Sequence, residues 1–391
     1  MRIGMVLSRV DLNDGVASHL DTLVTELDRA GHDVVLMSGP VSYPVPNSPV
    51  WEQREASLRK ATRAWERGSF ASVRGCAQWL RGAIARNPVD VLHLHGMRLV
   101  PAVRLAAGWR LPMAAMAHPS RTSTPDPSRA KRRLLQLATP IYRKLLPERA
   151  LAGSTEIAEW YANVMRFPAE RIRMVYYGCD TRQFTVPSPQ DRAAARASLG
   201  LLPSTFACVM VGRFDPGKRH DTAVRALARL AREGRDVALV IAGTGDCEDH
   251  VASLRRAADP EATLQLRCVN NVDDVRSIYA AGDAIVHPSE REAFALVVAE
   301  AMLCGLVPLR TSTGGARDQI QEGVTGFVFD VGDDVRLADR LRWLLDHPAE
   351  RAAMGRAAAT HAAGRFAAGA MARNAMQVYR ELIGGGPLRD Q

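Results

Sequence analysis

Short apolar runs ending in Gly, Ser or His alternate with longer segments of helical period along the whole chain, and no other feature limits its fold so strongly. Strand, helix and strand in that rhythm make the βαβ unit of a parallel sheet, whose strands are covered on both faces and therefore read as continuous apolar stretches. In the first half the pattern predicts strands at Ile3–Leu7, Asp33–Met37, Val89–Leu94, Met113–Ala117, Ala150–Gly153 and Arg173–Tyr176. A helix is expected over Ser18–Ala30, with Gly31 as its stop. A second set of strands follows at Phe206–Val211, Ala238–Ala242, Leu264–Cys268, Ala284–Val286, Leu306–Arg310 and Gly326–Phe329, and a closing helix at Phe366–Ile383.

At 391 residues the chain exceeds one ordinary core. The expected class is α/β, with two doubly wound, Rossmann-like domains: 1–185, 204–365, and a C-terminal segment 366–391 that packs back toward the first. The stretch Val186–Ser204, with proline at both ends of a short helical piece, reads as a connector. Two such domains facing each other make a cleft lined by the carboxyl ends of both sheets, where ligands bind in open α/β folds.

Composition excludes several classes. The six cysteines stand far apart with no C-x-x-C pair, so neither a disulfide framework nor a zinc site is expected, and a reducing cytoplasm is the default. The N-terminus runs directly into a strand-like segment rather than a secretory h-region. The most apolar run, Phe294–Leu309, is broken by Glu300 and too short to span a bilayer. Of a net charge of +9, residues 51–150 hold 19 Lys and Arg against 6 Asp and Glu. That region reads either as solvated helix faces or as a surface for an anionic membrane or acceptor; nucleic acid is not expected, because no aromatic-interleaved basic motif accompanies the charge. Within it, Arg129–Leu146 would form a helix with an apolar side flanked by Lys131, Arg132 and Arg133.

Two post-strand loops carry the chemistry. In "VMVGRFDPGKRHD" a strand ends at Val211, Gly212 allows a tight turn, and Arg213 and Lys218 precede a helix starting near Arg219. An arginine fork and a lysine beside helix-start amides suit a diphosphate. In "SEREAFALVVAEAMLCG" Glu292 and Glu300 bracket seven almost wholly apolar residues, expected to be a buried helix starting near Ala293. If that interval is helical, the carboxylates lie on the order of 12 Å apart along its axis, about the reach from a nucleotide's ribose to the sugar beyond its diphosphate. A buried Glu300 needs hydrogen-bond donors, which either a ribose diol or a nearby arginine such as Arg310 would supply.

Together these stretches resemble the family-4 retaining glycosyltransferases of the GT-B fold. The carriers are the Glu-x7-Glu stretch, the Gly-Gly turn and final strand in "TSTGGARDQIQEGVTGFVFD", the loop "VGRFDPGKRHDTAVRA", and the N-terminal "DGVASHLDTLVTELDRAGHDV", "DVLHLHG" and "YYGCDTRQF". The resemblance implies an acceptor-binding first domain and a donor-binding second one. Glu300 would hold the ribose hydroxyls, and Glu292 would lie near the transferred sugar. Arg213 and Lys218, with Gly212 and the backbone of Phe294, Ala295, Leu296 and Val297, would neutralise the leaving diphosphate. Gly15 would let the first loop approach that phosphate, and His118 would contact the sugar. Catalytic roles fall on Glu292, His118, Arg213 and Lys218. The chain departs from the family's Gly-Gly at Asp14-Gly15, from its Phe-Gly at Phe294-Ala295, and from a common Gly at Val269-Asn270-Asn271.

No D-x-D occurs, so transfer is expected without a metal and without a cofactor, the UDP- or GDP-linked hexose being a substrate. The acceptor is expected to be a hydroxyl on a small molecule or a lipid-linked acceptor; base, sugar, acceptor identity and oligomeric state are left open. Expected localisation is cytoplasmic or at the inner face of the membrane. Rival readings are a nicotinamide oxidoreductase, prompted by "IAGTGD" but lacking a full G-x-G-x-x-G, a non-catalytic sugar-nucleotide-binding partner, and an epimerase or phosphorylase of the same fold.

Overall fold

A computed structural model of the chain describes residues 1–11, 15–42, 49–68, 72–118, 145–259, 261, 263–270, 272 and 274–384. The chain divides into two units, Met1–Gly178 with the segment from Ala368 onward, and Cys179–Ala367.

The first unit is a seven-stranded parallel sheet: β1 (Arg2–Leu7), β2 (Asp33–Ser38), β3 (Ala64–Arg67), β4 (Val91–His95), β5 (Met113–Met116), β6 (Arg149–Ala152) and β7 (Ile172–Met174), in the spatial order β3-β2-β1-β4-β5-β6-β7. The first six therefore follow the doubly wound sequence 3-2-1-4-5-6. β1 and β4 form its centre, with Met5 opposite His93 and Leu7 opposite His95. Val6, Val35, Leu92, Leu94, Val103 and Met113 are buried in one cluster, as continuous apolar strands require. The strand β3 has the polar sequence Ala-Trp-Glu-Arg and is half-exposed at the sheet edge, so it lacks the apolar run by which the others are recognised.

Helix α1 (Gly15–Arg29) buries Leu20, Leu23, Val24 and Leu27 on one face. The second unit is a six-stranded parallel sheet of β8 (Phe206–Val211), β9 (Val237–Gly243), β10 (Gln265–Asn270), β11 (Ala284–His287), β12 (Val307–Thr311) and β13 (Phe327–Phe329), ordered β10-β9-β8-β11-β12-β13. This is again 3-2-1-4-5-6. Helix α2 (Pro189–Ser198) occupies the proline-flanked stretch read as a connector, and it is bonded into this unit: Arg192 Nη2 donates to Asp283 Oδ1 at 2.8 Å and Arg196 Nη1 to the Ala281 carbonyl at 2.9 Å.

The remaining helices that matter are α3 (His220–Arg232), α4 (Cys247–Ala258), α5 (Leu296–Leu303) and α6 (Ala368–Gly384). Unlike α2 to α5, α6 belongs to the first unit: Tyr379 is fully buried there, and Glu381 pairs with Arg173 at 3.2 Å.

A disulfide joins Cys247 and Cys268, correcting the expectation drawn from cysteine spacing. Their 21-residue separation is closed by topology, because Cys247 opens α4 just after β9 while Cys268 sits on β10, the parallel neighbour of β9. Cys76, Cys179, Cys208 and Cys304 are free and buried. Among the described residues no helix is long and apolar enough to cross a membrane. The basic helix expected at Arg129–Leu146 lies outside the described residues except for Leu145 and Leu146.

Candidate functional site

The loop after β8 is shaped by backbone demands. Gly243, at the end of β9, lies so close that a Cβ there would stand 1.8 Å from the Gly212 carbonyl oxygen, so only glycine lets the two strand ends approach. Asp215 accepts from the Gly217 amide at 2.8 Å and caps the 3-10 turn Pro216–Lys218. Arg219, in the left-handed region at φ 53°, then turns the chain into α3.

The loop after β11 meets this turn. The Glu290 amide donates to the Gly217 carbonyl at 2.9 Å, and Arg219 Nη1 to Glu290 Oε1 at 3.0 Å. Thr311, on β12, donates its hydroxyl to the Ser289 carbonyl at 2.6 Å and steadies the same loop. The consequence is one carboxylate oxygen with two partners: Glu292 Oε1 lies 2.5 Å from Lys218 Nζ and 2.8 Å from His287 Nε2. Burial alone would raise the Glu292 pKa, but the His287 and Lys218 contacts outweigh it and hold the carboxyl well below its usual range. Burial holds His287 below its ordinary value despite the pull of Glu292, so it is a neutral imidazole donating Nε2–H. Among the described residues Glu292 Oε2 has no partner, and the exposed Arg213 guanidinium has none either.

Helix α5 starts at Leu296, not near Ala293, because Ala295 takes the left-handed conformation at φ 62°, ψ 77° and interrupts the helix before its first turn. Glu292 and Glu300 therefore do not share one continuous helix, and the axial spacing expected from such a helix does not apply. The strained residue is held by its neighbours: Gln319 Nε2 donates to the Ala295 carbonyl at 3.0 Å and the buried Arg310 Nη1 to the Phe294 carbonyl at 3.0 Å. Arg310 also binds Gln319 and the Gly314 carbonyl, the latter at 2.8 Å. Where the resembled family has glycine, alanine adopts glycine's geometry. A left-handed alanine costs about 1–2 kcal/mol, and the greater freedom of an unfolded glycine offsets about 0.4–1 of that. Ala295→Gly is accordingly expected to stabilise the chain by about 0.5–1 kcal/mol, measured by denaturant titration; a loss of stability would show that the conformation is unstrained.

Phe294 and Ala295 are buried, and Leu296 and Val297, in the first turn of α5, are half-buried. Glu300 is half-buried on the same helix and its Oε2 accepts from Tyr279 Oη at 2.9 Å. Burial, followed by the proximity of Glu300, pushes the Tyr279 hydroxyl well above its ordinary pKa, so it stays a neutral donor.

The remaining predicted residues lie in the first unit. Gly15 is exposed and opens α1; residues 12–14 before it, Asp14 included, lie outside the described residues. His118, half-buried just after β5, has both ring nitrogens engaged, Nδ1 with Tyr177 Oη at 2.8 Å and Nε2 with His95 Nδ1 at 3.1 Å. Burial keeps its imidazole neutral, with a pKa lowered to about 4. His287 and Tyr279 escape a reading of loop motifs, while His95 and Tyr177 lie within the stretches "DVLHLHG" and "YYGCDTRQF" without being singled out there; the signal of His287, Tyr279 and His95 is a polar residue inside or ending an apolar strand or helix. Among the described residues no group of three or more His, Cys, Asp or Glu is arranged to hold a metal ion.

Two parallel sheets whose first six strands run 3-2-1-4-5-6, with the candidate residues in and after loops at the carboxyl ends of strands and helix α6 returned to the first unit, define the GT-B class of doubly wound proteins. Solved structures agree: a glycosyltransferase from Rickettsia africae superposes with a TM-score of 0.82 at 16% identity, over 98% of this chain and 99% of that one. The Anabaena protein HepE, in complex with UDP and glucose, does so with a TM-score of 0.77 at 18% identity over 98% and 100%. The family described as "Glycosyltransferase Family 4" matches residues 13–183, and "Glycosyl transferases group 1" matches residues 191–361. The chain belongs to the family-4 glycosyltransferases. A curated relative, D-inositol 3-phosphate glycosyltransferase of Mycobacterium sp. (strain KMS), is 34% identical over 217 residues, 53% of this chain and 48% of the relative. The matched stretch thus spans about half the length of that relative.

Proposed function

We propose that the protein transfers a hexose from a UDP- or GDP-linked donor to a hydroxyl acceptor, with retention of configuration and without a metal. The observation that carries this reading is the contact of Lys218 with Glu292, which joins two separate post-strand loops beside the first turn of α5. In the reaction, Arg213, Lys218 and the α5 amides meet the charge of the departing diphosphate, Glu300 accepts from the ribose hydroxyls, and Glu292 faces the sugar. Gly15 and His118 act on the phosphate and on the sugar. The leaving phosphate assists deprotonation of an acceptor that attacks from its own face. The name of the 34%-identical relative favours a phosphorylated polyol as acceptor over a lipid-linked one.

Slow hydrolysis of UDP- and GDP-hexoses tests this without knowledge of the acceptor. One of the two donors is expected to be consumed, equally with and without EDTA. Glu300→Ala is expected to weaken its binding by two charged hydrogen bonds of about 1.5–3 kcal/mol each. Nucleotide binding without hydrolysis or transfer would favour the non-catalytic partner; a strict Mg²⁺ or Mn²⁺ requirement would overturn the metal-free mechanism.

A further inference from the structure

Six rings from five places in the sequence line up in the first unit. His93 and His95, two residues apart on β4, point the same way and stack at 4.3 Å between centroids. Behind them, Tyr379 of α6 bonds through its hydroxyl to His93 Nδ1 at 2.6 Å. In front, His95 Nδ1 meets His118 Nε2 at 3.1 Å, and His118 Nδ1 meets Tyr177 Oη at 2.8 Å. His19 of α1 closes the side, its ring 5.6 Å from those of His95 and His118.

A neutral imidazole has one N–H, so the proton of His118 and that of His95 cannot be placed independently. If His118 donated from Nε2, His95 would accept at Nδ1 and carry its own proton on Nε2. That Nε2 is buried and has no partner among the described residues. A buried N–H with nothing to donate to is the costlier way to leave an atom unpaired; a bare lone pair is the cheaper. The arrangement that follows has His95 Nδ1–H donating to His118 Nε2, and His118 Nδ1–H donating to Tyr177 Oη.

We propose that His95 is a positioning residue for His118, its Nδ1–H fixing the proton of His118 on Nδ1 and keeping Nε2 a lone pair. The stack with His93, anchored by Tyr379, holds the His95 ring in the plane this requires: His95 and His118 lie within 6° of parallel. With Nε2 accepting from His95 and Nδ1–H donating to Tyr177, the proton and the orientation of the His118 ring are both fixed before a sugar arrives. The inference rests on the proposed role of His118 for its catalytic meaning, but not for its structural one.

The test is imidazole nitrogen NMR on the full-length protein with labelled histidine. The native chain is expected to show His118 as the Nδ1–H tautomer, His95→Phe to lose that preference, and His95→Asn, whose side-chain amide occupies the Nδ1 position, to restore it. Finding His118 as the Nε2–H tautomer in the native protein overturns the proposal even if a variant fails to fold. In donor hydrolysis, His95→Phe is expected to lower kcat by up to about 100-fold with little change in donor KM, the scale of a displaced reacting group. His95→Asn should recover most of the loss; equal losses in both variants would reduce His95 to packing. A His118→Ala control separates the two ideas, since unchanged turnover there would remove His118 from the reaction while leaving the tautomer result standing.

Discussion

Lys218→Ala is expected to lower turnover by about 100-fold or more, the effect of losing one preorganised charge-stabilising donor. The same change should weaken the second unit by about 2–3 kcal/mol, somewhat less than for a fully buried ion pair because Lys218 keeps contact with water. The cause is Glu292: without the ammonium at 2.5 Å, its carboxylate has only the neutral His287 N–H to offset burial. A second substitution separates the two effects. Lys218→Met combined with Glu292→Gln removes both charges and should recover most of the stability in a thermal melt while turnover stays low. Turnover within tenfold of native for Lys218→Ala would take the residue out of the leaving-group chemistry, and a double variant no more stable than the single one would show that the pair is not what holds the loops.

Acid should destabilise the first unit well before its carboxylates protonate. Burial lowers the pKa of His93 to about 3 and of His118 to about 4, and holds His19 and His95 well below 6.5. The unfolded chain therefore takes up protons as pH falls through about 6.5 while the folded one does not, so stability is complete above that pH and declines below it. Each histidine contributes up to about 1.4 kcal/mol per pH unit, and four acting together approach the whole margin of an ordinary domain, about 5–15 kcal/mol. His220, lowered to about 3 in the second unit, adds to the trend. Melting temperatures from about pH 7.5 to about pH 5 should fall steeply, and His19→Phe should flatten the fall by one proton at no cost in hydrogen bonds, because neither nitrogen of His19 has a partner among the described residues. A flat profile in the native chain would mean that these imidazoles charge in place.

The parallel strands were legible because burial on both faces leaves an uninterrupted apolar run, as at Phe206–Val211, where expected and observed limits coincide. The polar edge strand Ala64–Arg67 has no such run and passed unseen. The residues of the candidate site are legible as motifs too, since Arg213, Lys218 and Glu292 stand in post-strand loops and Glu300 in the helix that follows one. Their partners were not. His287, Tyr279 and His95 are recruited by tertiary packing, and nothing in the linear order marks them as neighbours of a carboxylate or an imidazole. Ala295 misled for a different reason: an alanine is ordinarily good in a helix, and only the bonds from Gln319 and Arg310 hold it left-handed. The Cys247–Cys268 disulfide likewise depends on two strands being sheet neighbours, a property of topology.

The second unit is an insertion. Its two ends meet, the Cys179 amide donating to the Phe366 carbonyl at 2.8 Å, so the 179–367 segment is one contiguous stretch of chain that closes on itself. The first unit is interrupted, and α6 follows the whole insertion in sequence. During translation the inserted unit has all its strands in hand while the first still lacks α6, and with it the Tyr379 hydroxyl that bonds His93. The imidazole row that holds His118 is thus completed only after the whole inserted unit has been synthesised, which ties the first unit's assembly to the presence of the second.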